Sequence, residues 1–208
     1  MSTIEQIMAL APVIPVLVIE DVAHAVPVAL ALVAGGLRVL EVTLRTPCAL
    51  DVIREMRQVP GAVVGAGTVL NPRDLDAALA AGAEFIVSPG LTPALGAAAL
   101  ASGVPFLPGT ANAGDIMLGL DLGLTRFKFF PAEASGGIAA LKAIAAPFGM
   151  ARFCPTGGIT LASAPDWLAL QAVACVGGSW LVGATALGGT PDPAAIEAAA
   201  RAAAALRP

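Results

Sequence analysis

The run Arg126-Phe127-Lys128-Phe129-Phe130-Pro131 alternates charged and aromatic residues and stops at a proline, the pattern of a buried strand. Lys128 is one of only two lysines in the chain; the other, Lys142, sits mid-helix among Ala and Leu, where a solvated, solubilising side chain is expected. The remaining cations are nine arginines, so a generic positive charge here is an arginine. A lysine held among aromatic residues suits another task, a nucleophilic amine. A guanidinium stays protonated and cannot supply one. A second chemistry-bearing run is Arg38-Val39-Leu40-Glu41-Val42-Thr43-Leu44-Arg45, which offers a carboxylate and a cation at even spacing.

The elements that must position these groups alternate along the whole chain. Residues 1–10 read as a short amphipathic helix, and Val13–Ile19 as the first apolar strand. Further strands are expected at Arg38–Thr43, Ala62–Gly67, Glu84–Ser88, Val104–Leu107, Thr125–Phe130, Arg152–Pro155 and Ala172–Val176. Helices lie between them. Their starts are marked by Asp21, by Asn71-Pro72 as cap and first-turn proline, and by Thr92. Gly35-Gly36 and Gly82 mark stops. The tail from Pro193 to Leu206 is an Ala-rich helix. Eight strand–helix units recur roughly every 20–27 residues, and the strands are continuously apolar, as parallel strands buried on both faces are. The expectation is one α/β domain over residues 1–208, a (β/α)₈ TIM barrel with a short N-terminal helix. An open doubly wound sheet would need a glycine-rich first turn, and the first turn here is Glu20-Asp21-Val22.

Composition removes other classes. Apolar residues make up 57% and charged residues 12%, yet the two long uncharged stretches, Phe85–Gly114 and Trp167–Pro191, are broken by Gly, Pro, Ser and Thr. Neither offers an unbroken membrane-spanning helix. Glu5 occupies what would be a basic leader region and the first cation is Arg38, so no signal peptide and a cytoplasmic location are expected. A net charge of −4 without any basic run argues against nucleic acid. Cys48, Cys154 and Cys175 are scattered and odd in number, and His24 is the single histidine. Neither a disulfide framework nor a transition-metal site is expected, and no cofactor is required.

Barrel chemistry sits at the C-terminal ends of strands. Side chains alternate along a strand, so Lys128 shares a face with Phe130, while Phe127 and Phe129 face the helices. Glu41, Thr43 and Arg45 share one face; Leu40, Val42 and Leu44 suit the helix layer. A plainer reading makes Glu41 and Lys128 a structural ion pair and Arg45 a surface cation. After strands seven and eight come Thr156-Gly157-Gly158 and Gly177-Gly178-Ser179. Glycine turns let backbone N–H groups approach an anion, and in barrels this is a frequent phosphate site, although tight-turn geometry alone would also use glycine. A lysine amine, a carboxylate, an arginine suited to binding a carboxylate and an anion cradle together equip Schiff-base chemistry on a ketone, in which an iminium draws electrons from the neighbouring C–C bond.

Six runs carry a family resemblance: Val39–Pro47 (VLEVTLRTP), Val64–Pro72 (VGAGTVLNP), Ser88–Thr92 (SPGLT), Phe127–Glu133 (FKFFPAE), Arg152–Ile159 (RFCPTGGI) and Gly177–Val182 (GGSWLV). In that order the chain resembles the bacterial 2-keto-3-deoxy-6-phosphogluconate (KDPG) aldolases, which also act on 4-hydroxy-2-oxoglutarate (KHG). The resemblance implies a class I aldolase of the Entner–Doudoroff route on a (β/α)₈ barrel, normally a homotrimer, acting on a small phosphorylated keto acid. It implies Lys128 as Schiff-base lysine and Glu41 as general acid/base. Arg45 and Thr68 would hold the pyruvate carboxylate, with Pro89 and Phe130 lining the pyruvyl end. Gly157, Gly158, Gly178 and Ser179 would hold the phosphate. The run Gly109-Thr110-Ala111-Asn112 departs from the family pattern, which bears on relative activity toward alternative substrates. Those alternatives include other 4-hydroxy-2-oxoacids, such as the 6-phosphogalactonate epimer. A metal-dependent phosphosugar epimerase would need more histidines, and a non-catalytic phosphosugar-binding barrel would not need Lys128.

Overall fold

The computed structural model describes residues 3–187 and 189–206. The chain opens with helix α1 (Ile4–Ala9), whose N-terminus is closed by a capping box between Thr3 and Gln6. The first two residues of the expected 1–10 helix lie outside the described residues. Strand β1 (Val13–Leu17) leads through a 3₁₀ turn at Val22–His24, with the Asp21 side chain accepting from the Ala23 N–H, into α2 (Ala25–Ala34). There follow β2 (Val39–Thr43), α3 (Ala49–Met56), β3 (Val63–Gly67) and α4 (Pro72–Ala80). The next are β4 (Ile86–Val87), α5 (Pro93–Ser102), β5 (Phe106–Leu107), β6 (Gly109–Thr110) and α6 (Ala113–Asp121). The last third holds β7 (Arg126–Phe129), α7 (Gly137–Ala145), β8 (Arg152–Pro155), α8 (Ala164–Leu168), β9 (Val176–Gly178), a 3₁₀ segment at Trp180–Leu187, and α9 (Pro193–Ala204). The starts of α4, α5, α6 and α9 are capped by Asn71, Thr92, Asn112 and Asp192, three of them with proline in the first turn.

All strand pairing is parallel. One sheet runs β5-β4-β3-β2-β1-β9 and a second runs β6-β7-β8. The expected fifth strand, Val104–Leu107, is shortened to β5, and a further short strand that the sequence did not mark, β6, follows beyond Pro108. β5 pairs with β4 and β6 with β7. The expected eighth strand, Ala172–Val176, is displaced: only Val176 falls within β9. The physical reason is a change of partner. Residues 172–174 exchange backbone hydrogen bonds with Phe153 on the β8 side, whereas Val176–Gly178 pairs with β1. A further bridge joins Thr156 to Gly177.

The two faces of the curled sheet bury different cores. The outer core lies between strands and helices and takes Leu40, Val42, Phe127, Phe129 and Phe153 with Trp167 and the helix residues. Small Ala and Gly side chains bring α2 and α9 together; a Cβ on Gly35 would lie 2.8 Å from the Glu197 carbonyl oxygen of α9. The inner core is a smaller cluster of Ile14, Val39, Phe85, Val87, Leu107, Cys154 and Cys175. Ile7 and Met8 of α1 complete it, and Glu5 of α1 is ion-paired to Arg126 at the start of β7. The inner face is therefore graded by position. Val39, Glu41 and Thr43 alternate along β2 from this apolar cluster toward polar surroundings, as the two-residue period requires.

Candidate active site

Beyond the inner cluster, at the C-terminal ends of the strands, lies a cavity of about 390 Å³. Lys128 of β7 and Glu41 of β2 face each other across its floor. Lys128 Nζ donates to Glu41 Oε1 at 2.8 Å, with the two side chains only 7% and 4% exposed. Two charged groups this deep are stable only as a hydrogen-bonded pair. One proton shift along that bond would convert ammonium and carboxylate into amine and carboxylic acid, so the pair can offer a nucleophile with a proton acceptor in contact. The Phe130 ring lies 5.3 Å from Nζ and forms an apolar wall.

The approach depends on two neighbouring glycines. A Cβ on Gly67 of β3 would lie 2.7 Å from Glu41 Cγ, so only glycine leaves the carboxylate its place. A Cβ on Gly109 of β6 would lie 2.7 Å from the Gly90 backbone nitrogen, which lets Pro89 close over the cavity. Thr68 follows Gly67 with φ +59°, a conformation a β-branched residue rarely adopts. Such strain gathers at sites where surrounding structure over-determines it. Arg45 is exposed at the rim and has no ion-pair partner among the described residues. Its guanidinium is therefore available to a carboxylate entering the cavity.

Six of the expected site residues, Lys128, Glu41, Arg45, Thr68, Pro89 and Phe130, line this one cavity. The strand parity inferred for Lys128 and for Glu41, Thr43 and Arg45 holds, since Leu40, Val42, Phe127 and Phe129 lie in the outer core. Val16, Thr43 and Thr156 complete the lining. Val16 gives no chemical signal in sequence. Thr156 could have been found by parity, because it lies two residues beyond Cys154, the strand neighbour of Lys128.

The expected phosphate residues do not line the cavity but flank it. Gly157 and Gly158 follow Thr156 with φ +105° and +82°, a left-handed succession that glycine alone adopts readily. Gly178 and Ser179 follow Gly177, the bridge partner of Thr156. Gly178 is the last residue of β9, so the turn after that strand begins at Ser179, whose side chain is exposed. A Cβ on Gly178 would run into the Trp180 ring, lying 2.6 Å from its Cε3.

Size alone does not single this cavity out: another of about 410 Å³ lies beside α1, but its acid and base, Glu84 and Arg57, form no ion pair. Among the described residues, no three His, Cys, Asp or Glu side chains gather as a metal ion would require. No described helix is long and apolar enough to cross a membrane.

The model of the KDPG and KHG aldolase family matches residues 4–199. The chain belongs to that family. It is 62% identical over 207 residues to the 2-dehydro-3-deoxy-phosphogluconate aldolase of Zymomonas mobilis, covering all of this chain and 98% of the relative. A crystal structure of the 2-keto-3-deoxy-6-phosphogluconate aldolase of Zymomonas mobilis ZM4 with 3-phosphoglycerate superposes with a TM-score of 0.95 at 63% identity, covering 98% of this chain and 96% of that one. The KDPG aldolase of Legionella pneumophila, solved with pyruvate as a covalent carbinolamine intermediate, superposes with a TM-score of 0.92 at 43% identity and covers 98% of each chain.

Proposed function

We propose that this chain is a class I aldolase, a lyase that cleaves 2-keto-3-deoxy-6-phosphogluconate to pyruvate and glyceraldehyde 3-phosphate, and 4-hydroxy-2-oxoglutarate to pyruvate and glyoxylate. The observation that carries the reading is the buried Lys128–Glu41 contact at the end of a cavity walled by Phe130 and Pro89.

Glu41 takes a proton from Lys128, and the free amine attacks the C2 ketone to give a carbinolamine. Protonation of its hydroxyl by Glu41 releases water and forms the iminium. Glu41, directly or through a water molecule, then accepts the C4 hydroxyl proton as the C3–C4 bond breaks. The electron pair of that bond moves into the iminium as an enamine, and the aldehyde leaves. Protonation of the enamine at C3 and addition of water return pyruvate and the amine. Arg45 and Thr68 hold the C1 carboxylate common to both substrates, and Gly157, Gly158, Gly178 and Ser179 hold the distal phosphate.

The same reading makes residues 1–208 one closed eight-stranded barrel, cytoplasmic and assembled as a homotrimer with no cofactor. Two observations support closure: Phe106–Thr110 pairs with β4 and then β7, and residues 172–178 pair with β8 and then β1. A strand that changes partner along its length is what the stagger of a barrel produces. Sedimentation equilibrium tests the trimer.

Borohydride reduction in the presence of pyruvate tests the chemistry. The expected result is a reduced pyruvyl adduct on the peptide containing Lys128, with loss of activity. No adduct, or undiminished activity in Lys128→Ala, sinks the mechanism.

A further inference from the structure

Glu133 lies outside the catalytic cavity and has no part in the steps above, yet it joins the three segments around the Gly157–Gly158 turn. Its backbone N–H donates to the Gly157 carbonyl at 3.1 Å, and that of Ala132 donates to the Thr156 carbonyl at 2.8 Å. Its side chain lies against Gly158, where a Cβ would be 2.7 Å from Glu133 Cβ and Cγ. Its Oε1 accepts from Trp167 Nε1 of α8 at 3.1 Å. Trp167 is itself wholly buried, with its ring 6.4 Å from that of Phe129. Oε2 lies 3.3 Å from where a Cβ would stand on Gly137, the first residue of α7, which holds φ +64°. One residue thus joins the loop after β7, the turn after β8 through its backbone N–H and aliphatic carbons, and the helix beyond it through its carboxylate.

Consecutive glycines have the widest conformational freedom of any dipeptide, so two amides at left-handed φ converge on an anion only if something outside the turn holds them. An exposed carboxylate near a phosphate site brings repulsion. Its value there is therefore as a hydrogen-bond acceptor anchored on a rigid donor, and a buried indole N–H is such a donor. We propose that Glu133, anchored by Trp167, is a positioning residue that fixes the Gly157 and Gly158 amides for the substrate phosphate. This rests on the reading of that turn as the phosphate cradle.

The test compares wild type with Glu133→Ala, Glu133→Gln and Trp167→Phe, each checked for folding by thermal melting. Steady-state kinetics are measured with KDPG, which carries a phosphate, and with 4-hydroxy-2-oxoglutarate, which does not. Inorganic phosphate is titrated as a competitive inhibitor of the second reaction. Glu133→Ala and Trp167→Phe are expected to raise KM for KDPG and the phosphate inhibition constant by about three- to tenfold, the worth of one hydrogen bond. Their kcat for KDPG, both constants for 4-hydroxy-2-oxoglutarate, and borohydride trapping of pyruvate stay within about twofold. Glu133→Gln keeps the acceptor and removes the charge, so its KM for KDPG stays at or below wild type. A merely structural glutamate would shift both substrates alike, and that result overturns the proposal. Phosphate inhibition unchanged in Glu133→Ala overturns the anchor while leaving the cradle intact. A wild-type enzyme that inorganic phosphate does not inhibit overturns the cradle, and the anchor with it.

Discussion

Replacing Lys128 with methionine separates the electrostatic role of the buried Lys128–Glu41 pair from the chemical one proposed for it. Methionine keeps much of the aliphatic volume and removes the ammonium, leaving Glu41 as a carboxylate whose side chain is 4% exposed. Breaking a fully sealed ion pair from one side costs about 3–5 kcal/mol. This pair opens on a cavity of about 390 Å³, large enough to admit several waters that re-solvate one side of the carboxylate. The expected loss therefore falls to or just below the lower end of that range, about 2–3 kcal/mol. For a chain of this size it lowers Tm by about 4–12 °C. Adding Glu41→Gln removes the stranded charge, so the double variant regains most of the loss even though neither variant forms an adduct with pyruvate. The assay is urea denaturation of the wild type, both single variants and the double variant, read as a double-mutant cycle. If Lys128→Met unfolds at the wild-type midpoint, or if the double variant is no more stable than Lys128→Met, the two groups are not coupled as buried charges and the reasoning fails.

Three further substitutions probe the backbone and the rim, and one the helix layer. Gly67→Ala drives a methyl group into Glu41, so kcat falls by about a hundredfold or more and borohydride traps pyruvate on Lys128 more slowly; unchanged kcat would refute the need for that approach. Gly158→Ala combines φ +82° with a clash against Glu133, and KM for the phosphorylated substrate rises by about tenfold with little change for the unphosphorylated one. Arg45→Ala raises KM for both substrates by about 10–100-fold, because both carry the C1 carboxylate, and a selective effect on either would contradict its assignment. Gly35→Ala overpacks the α2–α9 contact and costs about 1–3 kcal/mol in a denaturation experiment, with normal kinetics at low temperature.

Much of the site was legible because chemistry and parity left few choices. Lys128 stood out against an arginine inventory, and the two-residue period placed Glu41, Thr43 and Arg45 on its side of the sheet. Strand existence was legible too, since continuous apolar runs bounded by Gly, Pro and Asn have few other uses. What could not be read is set by partners distant in sequence. Nothing local in Ala172–Gly178 says that its first half pairs with β8 and its second with β1, and this shift puts Gly177 and Gly178 in a strand instead of a turn. The short strands β5 and β6 on either side of Pro108 depend likewise on β4 and β7. The reach of the Glu133 side chain to Trp167 was hidden for the same reason: a surface glutamate and a core tryptophan carry no mark of each other until the loops are in place.

The apolar closure of the strands' N-terminal ends has a consequence for traffic. Ile7 and Met8 cover the inner cluster below Lys128, so the amine is reached from the opposite end of the strands. A class I cycle must expel one water when the iminium forms and admit one when it is hydrolysed. Among the described residues the polar cavity opens at that end, and both waters are expected to pass there. While the aldehyde fragment stands in that mouth, hydrolytic water is held away from the enamine–iminium carbon. The aldehyde therefore leaves first and pyruvate second. In the proposed cycle pyruvate also stays covalently bound until the iminium is hydrolysed, so release of the aldehyde first needs no moving part.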